Sequence, residues 1–163
     1  MLIEVIKATR EQQPMLANLI ELYTYDFTEF CHFDIGDDGF YGYKDLPLYW
    51  TEDTRYPYLI YVDKKIAGFV LVQKGSPISD DTMIWDIAEF FIMRKYKRHG
   101  IGTAAVHKIW NQFEGPWQVR ALVSNPIACS FWPQAIKKFT STMLEKTNVK
   151  INKGMWNIYT FES

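Results

Sequence analysis

Hydrophobic positions change their spacing several times along the chain, and each change marks an element. Ile3-Glu4-Val5-Ile6-Lys7-Ala8 reads as a first strand. Met15, Leu16, Leu19, Ile20, Leu22 and Tyr23 then recur three and four apart, the spacing of one helix face. Thr9 is placed to cap that helix, and Pro14 is tolerated in its first turn. A turn-rich stretch with three glycines covers residues 34–42, and a short helix is expected over 46–50. Residues 58–62 and 66–72 are two β-rich runs joined by Asp63-Lys64-Lys65, so they predict a hairpin. After a polar loop, residues 84–93 form a nearly continuous apolar strand broken by Asp86 and Glu89, which predicts cover on both faces.

Beyond Gly100-Ile101-Gly102 an amphipathic helix places Ala105, Val106, Ile109, Trp110 and Phe113 on one side, and Gly115-Pro116 stops it. Residues 117–123 read as a strand and 127–139 as a helix interrupted or bent near Pro133. Two further strands are expected over 143–151 and 155–161. The order β-α-α-β-β-β-α-β-α-β-β predicts one α/β domain over residues 1–163, a mixed sheet with helices on both faces.

Composition narrows the class. With 48% hydrophobic and 23% charged residues, the 163-residue chain is ordinary for a globular protein. No apolar run approaches the ~18 residues that span a bilayer, and the charged stretch Met1 to Arg10 lacks the apolar core of a signal peptide. Two cysteines, Cys31 and Cys129, without CxxC spacing argue against a disulfide scaffold or zinc site and fit a reducing cytoplasm. Cys129 reads as a small packed residue rather than a nucleophile, and Cys31-His32 as packing rather than a metal pair. The net charge of −1 hides an asymmetry: residues 1–60 carry 11 acids and 4 bases, whereas 61–163 carry 8 acids and 14 bases.

The most informative segment is Arg94-Lys95-Tyr96-Lys97-Arg98-His99-Gly100-Ile101-Gly102-Thr103, between an apolar strand and an amphipathic helix. Glycines let backbone N–H groups point into a concave turn, and the helix start adds unpaired N–H groups and its positive dipole end. Lys97, Arg98 and His99 supply charge, completing the parts of a pyrophosphate site. The Walker pattern GxxxxGK[ST] is absent, and no acid follows at the position a dinucleotide fingerprint requires.

Here the sequence resembles the GCN5-related N-acetyltransferase family, whose signature [Q/R]-x-x-G-x-[G/A] follows a central strand. The chain has Lys97-Arg98-His99-Gly100-Ile101-Gly102, with Lys97 in the Gln/Arg place. The family's Asn-x-x-Ala-x-x-Phe-Tyr corresponds to Asn125-Pro126-Ile127-Ala128-Cys129-Ser130-Phe131-Trp132. The resemblance implies a mostly antiparallel sheet whose two central strands splay, with acetyl-CoA as co-substrate in the gap and no metal. It implies that the backbone of Lys97, Arg98, His99, Gly100, Ile101, Gly102 and Thr103 holds the CoA pyrophosphate. The strand edge at Phe91, Ile92 and Met93 would pair with the pantetheine arm, and Asn125 would contact that arm.

Acetyl transfer to an amine needs a base. Glu89, three residues before Ile92 in an apolar run, stands where family members often place one, and its apolar flanks favour titration above the usual carboxylate range. The family's leaving-group acid, a Tyr, is replaced by Trp132, whose indole N–H is no useful proton source. The stretch from Tyr23 to Trp50 mixes ten aromatic residues with Asp26, Glu29, Asp34, Asp37 and Asp38, a composition suited to a cationic amine. The expected partners are therefore acetyl-CoA and a small-molecule or peptide amine, with no membrane. Two rivals stay open: a catalytically inactive acyl-CoA sensor, and a nucleic-acid module built on the basic stretch 94–99, which the slightly acidic net charge disfavours.

Overall fold

The computed structural model describes residues 1–152 and 154–163. Seven strands, β1 (Ile3–Lys7), β2 (Arg55–Val62), β3 (Lys65–Lys74), β4 (Trp85–Ile92), β5 (Pro116–Leu122), β6 (Glu145–Ile151) and β7 (Gly154–Glu162), form one sheet in the order β1-β2-β3-β4-β5-β7-β6. All neighbouring pairs are antiparallel except β4 and β5. That parallel pair needs a crossover, supplied by helix α2 (Ile101–Trp110).

The two faces are covered by different helices, as the unbroken apolar runs of β3 and β4 require. On one face, α1 (Gln13–Phe27) and a 3-10 turn at Leu46–Trp50 bury Leu16, Leu19, Ile20, Leu46 and Tyr49 against Leu59, Phe69, Leu71 and Phe91. On the other, α2 and α3 (Pro126–Phe139) bury Ile101, Val106, Ile109, Trp110, Trp132 and Ile136 against Ile60, Val70, Val72, Ile87, Val119 and Phe161. The anticipated elements are all present, with boundaries shifted by one to three residues. Among the described residues, no helix is long and apolar enough to cross a membrane.

Two local features depart from expectation. Helix α3 runs without interruption through Pro133. A proline in a helix orphans the carbonyl four residues earlier; here that carbonyl, of Cys129, accepts a hydrogen bond from the Tyr159 hydroxyl at 3.3 Å. The hairpin link is also one residue shorter than the sequence suggested. Lys65 pairs with Val62, leaving a two-residue turn in which Asp63 and Lys64 both have positive φ, 48° and 64°. This is the twist a tight hairpin demands.

Asp63 has a second task, since its Oδ1 accepts the Leu2 N–H at 2.8 Å and ties down the N-terminus. Lys64 makes no such bond. Lys64→Gly should therefore raise the melting temperature by a few degrees: relief of left-handed strain, ~1–2 kcal/mol, exceeds the extra chain entropy of glycine, ~0.5–1 kcal/mol. Asp63→Gly should lower it. A thermal melt of each variant measures both signs.

Candidate active site

The site begins where the sheet divides. β4 and β5 share only the pairs Trp85–Trp117 and Asp86–Gln118, and beyond these the strands part. At the fork lies Asp86, a fully buried carboxylate. A buried charge is tolerated only when its lone pairs are filled. Gln73 Nε2 of β3 donates at 3.0 Å, Gln118 Nε2 at 3.1 Å, and Arg120 donates through Nε and Nη2 at 3.2 and 2.9 Å. In the sequence Asp86 stands out only as an interruption of an apolar run, and Arg120 does not stand out at all.

Two residues further along, β4 contains a bulge. Leu71 faces Glu89 and Val72 faces Ile87, so Ala88 is the extra residue. Strict alternation would put Ile87, Glu89 and Phe91 on one face. Instead Ile87 packs with the α2–α3 core, whereas Ala88 and Phe91 pack with the α1 core. Glu89, opposite Leu71 of that same core, is thereby turned toward α1.

There its half-buried carboxylate accepts two phenols. Tyr23 of α1 donates to Oε2 at 2.6 Å, and Tyr43 donates to Oε1 at 3.2 Å. Burial pushes the Glu89 carboxyl above its usual range, opposed by the Tyr23 bond, the Arg120 charge and the Tyr43 bond, and assisted by Asp86. Burial, reinforced by the Glu89 charge, holds both phenols well above the ordinary tyrosine range, so they stay protonated donors. Tyr43 reaches this place because Glu21 of α1 accepts the N–H groups of Tyr41 and Gly42, each at 2.8 Å, and pins the loop. The sequence shows Tyr23 and Tyr43 only as members of an aromatic stretch, because a 66-residue separation between Tyr23 and Glu89 leaves no local signal.

Behind this carboxylate the free edge of β4 faces the fork. The Met93 N–H bonds the Ala67 carbonyl at 2.8 Å, and the Phe91 carbonyl lies against Gly68. Two-residue alternation then turns the main-chain groups of Phe91 and Met93 toward β3 and those of Phe90 and Ile92 toward the gap. The side chains of Phe91 and Ile92 are buried in opposite cores.

The loop that follows is the predicted anion cradle. Arg98 and Gly100 both adopt left-handed backbone, φ 65° and 74°, and Gly100 caps α2. The N–H groups of Arg98, His99, Gly100, Ile101, Gly102 and Thr103 have no partner among the described residues. Two left-handed residues immediately before a helix start turn these donors into one concavity, which fits a diphosphate. The side chains of Arg98 and His99 are exposed, whereas that of Ile101 is core. Lys97 is otherwise engaged: its Nζ contacts Asp26 Oδ2 at 2.7 Å, and Arg94 Nε reaches Oδ1 of the same residue at 2.9 Å. Burial raises the Asp26 carboxyl, but these two bonds outweigh it and hold the group below its usual range.

Asn125 Oδ1 caps α3 by accepting the Ala128 N–H at 3.0 Å, while its Nδ2 has no partner among the described residues. Trp132 is buried in the α2–α3 core with ring centroids 5.4 Å from Phe90 and 6.4 Å from Trp110. On the acceptor side, rings run from Tyr23 to Phe27 and on to the exposed Phe33, at 5.7 and 6.3 Å. Asp34, Asp37 and Asp38 are exposed nearby in sequence. Cys31 and Cys129 are free thiols, and no cluster of metal-ligating side chains exists among the described residues.

This geometry offers a half-buried carboxylate on one face of β4, main chain turned toward the fork along its edge, and a concavity of unpartnered amides at its end. A family model described as acetyltransferase (GNAT) family matches residues 16–135. No curated protein matches by sequence. Among solved structures, an acetyltransferase from Thermus thermophilus superposes with TM-score 0.74 at 14% identity, covering 100% of this chain and 98% of its own. RimL, a ribosomal L7/L12 alpha-N-protein acetyltransferase solved with coenzyme A, superposes with TM-score 0.67 at 13% identity, covering 98% and 93%. The ribosomal-protein-S18-alanine N-acetyltransferase from Escherichia coli gives 0.63 at 10% identity, covering 99% and 94%.

The cradle is testable through Gly102, where an added Cβ would lie 3.3 Å from the Phe131 ring and 3.5 Å from that of Phe90. Gly102→Val should crowd those rings and cover the amides, abolishing the thermal stabilisation that CoA gives the parent protein. Stabilisation of parent size in a folded variant would remove this loop from the site.

Proposed function

This chain belongs to the acetyltransferase (GNAT) family, and from that premise we propose that it transfers the acetyl group of acetyl-CoA to a primary amine by direct attack of the amine on the thioester. The observation that carries the reading is the placement of Glu89: a bulge turns it to the α1 face beside the point where β4 leaves β5. Acetyl-CoA, when bound, supplies the activated acetyl group and a thiolate leaving group. The main chain from Arg98 to Thr103 is proposed to hold the diphosphate, with the exposed side chains of Arg98 and His99 beside it. The charge of Lys97 is directed to Asp26 and its N–H to the Arg94 carbonyl at 3.2 Å, so the cradle proper begins at Arg98. The outward N–H and C=O groups of Phe90 and Ile92 suit the amides of the pantetheine arm, with Phe91, Met93 and the free Nδ2 of Asn125 bounding its path.

Glu89 is proposed as the general base. An ammonium is not a nucleophile, and a carboxylate raised above its usual range is a better acceptor for its proton than an ordinary one. Tyr23 and Tyr43 orient the carboxylate and leave their own oxygen lone pairs free to accept from an amine. Aromatic rings and exposed acids on the acceptor side favour a cationic acceptor. RimL and the S18-alanine enzyme are named for protein amino groups; at their low identity they carry the fold, and both peptide and small-molecule amines fit this chain.

One observation favours a second reading, an acyl-CoA sensor without turnover. Trp132, in the place of the family's acid, is a core residue. Thiol release from acetyl-CoA across a panel of amines separates the two, because a sensor binds CoA and releases none.

Glu89→Gln should preserve CoA-induced stabilisation while lowering kcat/KM by ~10²–10⁴-fold. In the parent enzyme, kcat/KM should fall as pH drops through the raised Glu89 value, since the protonated acid cannot accept a proton. That limb should vanish in the variant. Trp132→Phe should leave the chemical step unchanged.

A further inference from the structure

We infer that Arg120 is a positioning residue for the proposed base: through its two-pronged grip on Asp86 it fixes the point at which β4 and β5 part, immediately before the bulge that carries Glu89. The inference rests on the reading of Glu89 as base, and it goes beyond that reading by assigning a function to a residue that touches neither substrate.

The geometry is specific. Main-chain pairing of β4 with β5 ends at Asp86–Gln118. Arg120 lies two residues further along β5, where no β4 partner remains, and pairs instead with Ile158 of β7. Its side chain reaches back to the fork and grips Asp86 with both Nε and Nη2, at 3.2 and 2.9 Å. A planar two-pronged donor fixes the carboxylate's orientation in a way a lysine cannot. Gln73 and Gln118 complete the set, so side chains from β3, β4 and β5 meet on one buried anion.

The bulge begins immediately after Asp86, at Ile87 to Glu89. Any rotation of the Asp86 segment would therefore be passed directly into the residue that carries the base. A structural pair alone would need only to neutralise Asp86. Arg120 also acts on Glu89: its charge draws the Glu89 carboxyl down, while Asp86 pushes it up. Tyr23 from α1 and Tyr43 from the loop bond Glu89 directly, and Tyr49 from the 3-10 turn is acted on by its charge. All three are phenols held protonated by burial. Within this set Arg120 supplies the positive charge.

The sign of the effect follows. Neutralising Arg120 should move the Glu89 titration to higher pH, so the base is protonated over more of the neutral range. Neutralising Asp86 should move it to lower pH. Arg120→Lys should keep the charge but lose the two-pronged grip.

The test is a side-chain ¹³C NMR titration of Glu89 in the full-length protein, assigned with Glu89→Gln, together with kcat/KM–pH profiles. In Arg120→Gln the Glu89 titration should move to higher pH, and the acidic limb of kcat/KM should move with it, so that the rate lost is recovered at higher pH. In Arg120→Lys the titration should stay near the parent value while kcat falls. Should Arg120→Gln fail to fold, Asp86→Asn must move the titration downward. A Glu89 titration unmoved by every folded variant at either position overturns the inference. A titration that moves as stated while the rate profile does not follow supports the role of Arg120 and removes Glu89 as the base, so the two readings fail separately.

Discussion

A carboxylate with no exposure to solvent sits where the ladder between β4 and β5 ends, and much of the site follows from satisfying it. Leaving such a charge without its partner costs about 3–5 kcal/mol. Asp86 therefore requires donors, and they come from two neighbouring strands: Gln73 of β3, and Gln118 and Arg120 of β5. The strands are held together by side chains at the level where their main chains stop holding one another. Beyond that point no main-chain pairing joins β4 to β5 among the described residues, and the edge of β4 is left available. A gap between adjacent parallel strands would otherwise be filled by further pairing, so the knot marks where pairing stops.

A second tie crosses the molecule. Asp26, one residue before the end of α1, takes both Arg94 and Lys97 from the loop preceding α2. Those two cations are substantially exposed, so the bonds are worth little as stability. Their consequence is geometric. They join the helix that bears Tyr23 to the loop that bears the amide cradle, so the wall around Glu89 and the anion site are one connected piece. Glu21 does the same for the loop carrying Tyr43. Both ties are acids on α1 directed at backbone or bases far along the chain.

These ties explain which parts of the protein are legible in its sequence. The helices and strands are legible because long apolar runs with a clear period decide element type almost alone. The cradle is legible because Gly100, Gly102 and the basic residues before them are consecutive. Glu89 stands out as an acid in an apolar strand, but its direction does not. A bulge leaves no compositional trace, and without it Glu89 would share a face with Ile87. Lys97 reads as charge for a phosphate because its partner, 71 residues earlier, cannot be seen from the loop. Pro133 reads as a break because the hydroxyl that satisfies the Cys129 carbonyl comes from β7. In each case the local chemistry is plain and a distant partner changes its consequence.

The decisive element is β4, because it points in three directions at once. Ile87, Phe90 and Ile92 enter the α2–α3 core, and Phe91 enters the α1 core, so the strand is anchored on both faces. Its main chain at Phe90 and Ile92 points within the plane of the sheet, into the fork. Glu89 leaves that plane toward the phenols of Tyr23 and Tyr43. A regular strand has only two side-chain directions and could not separate an anchoring Ile87 from the proposed base, Glu89, two residues away. The bulge supplies the missing half-step, and Asp86, held by Arg120, lies immediately before it. The proposed base and the proposed cofactor edge are thereby adjacent on a single segment, so that an amine deprotonated at Glu89 stands next to the edge proposed to hold the thioester.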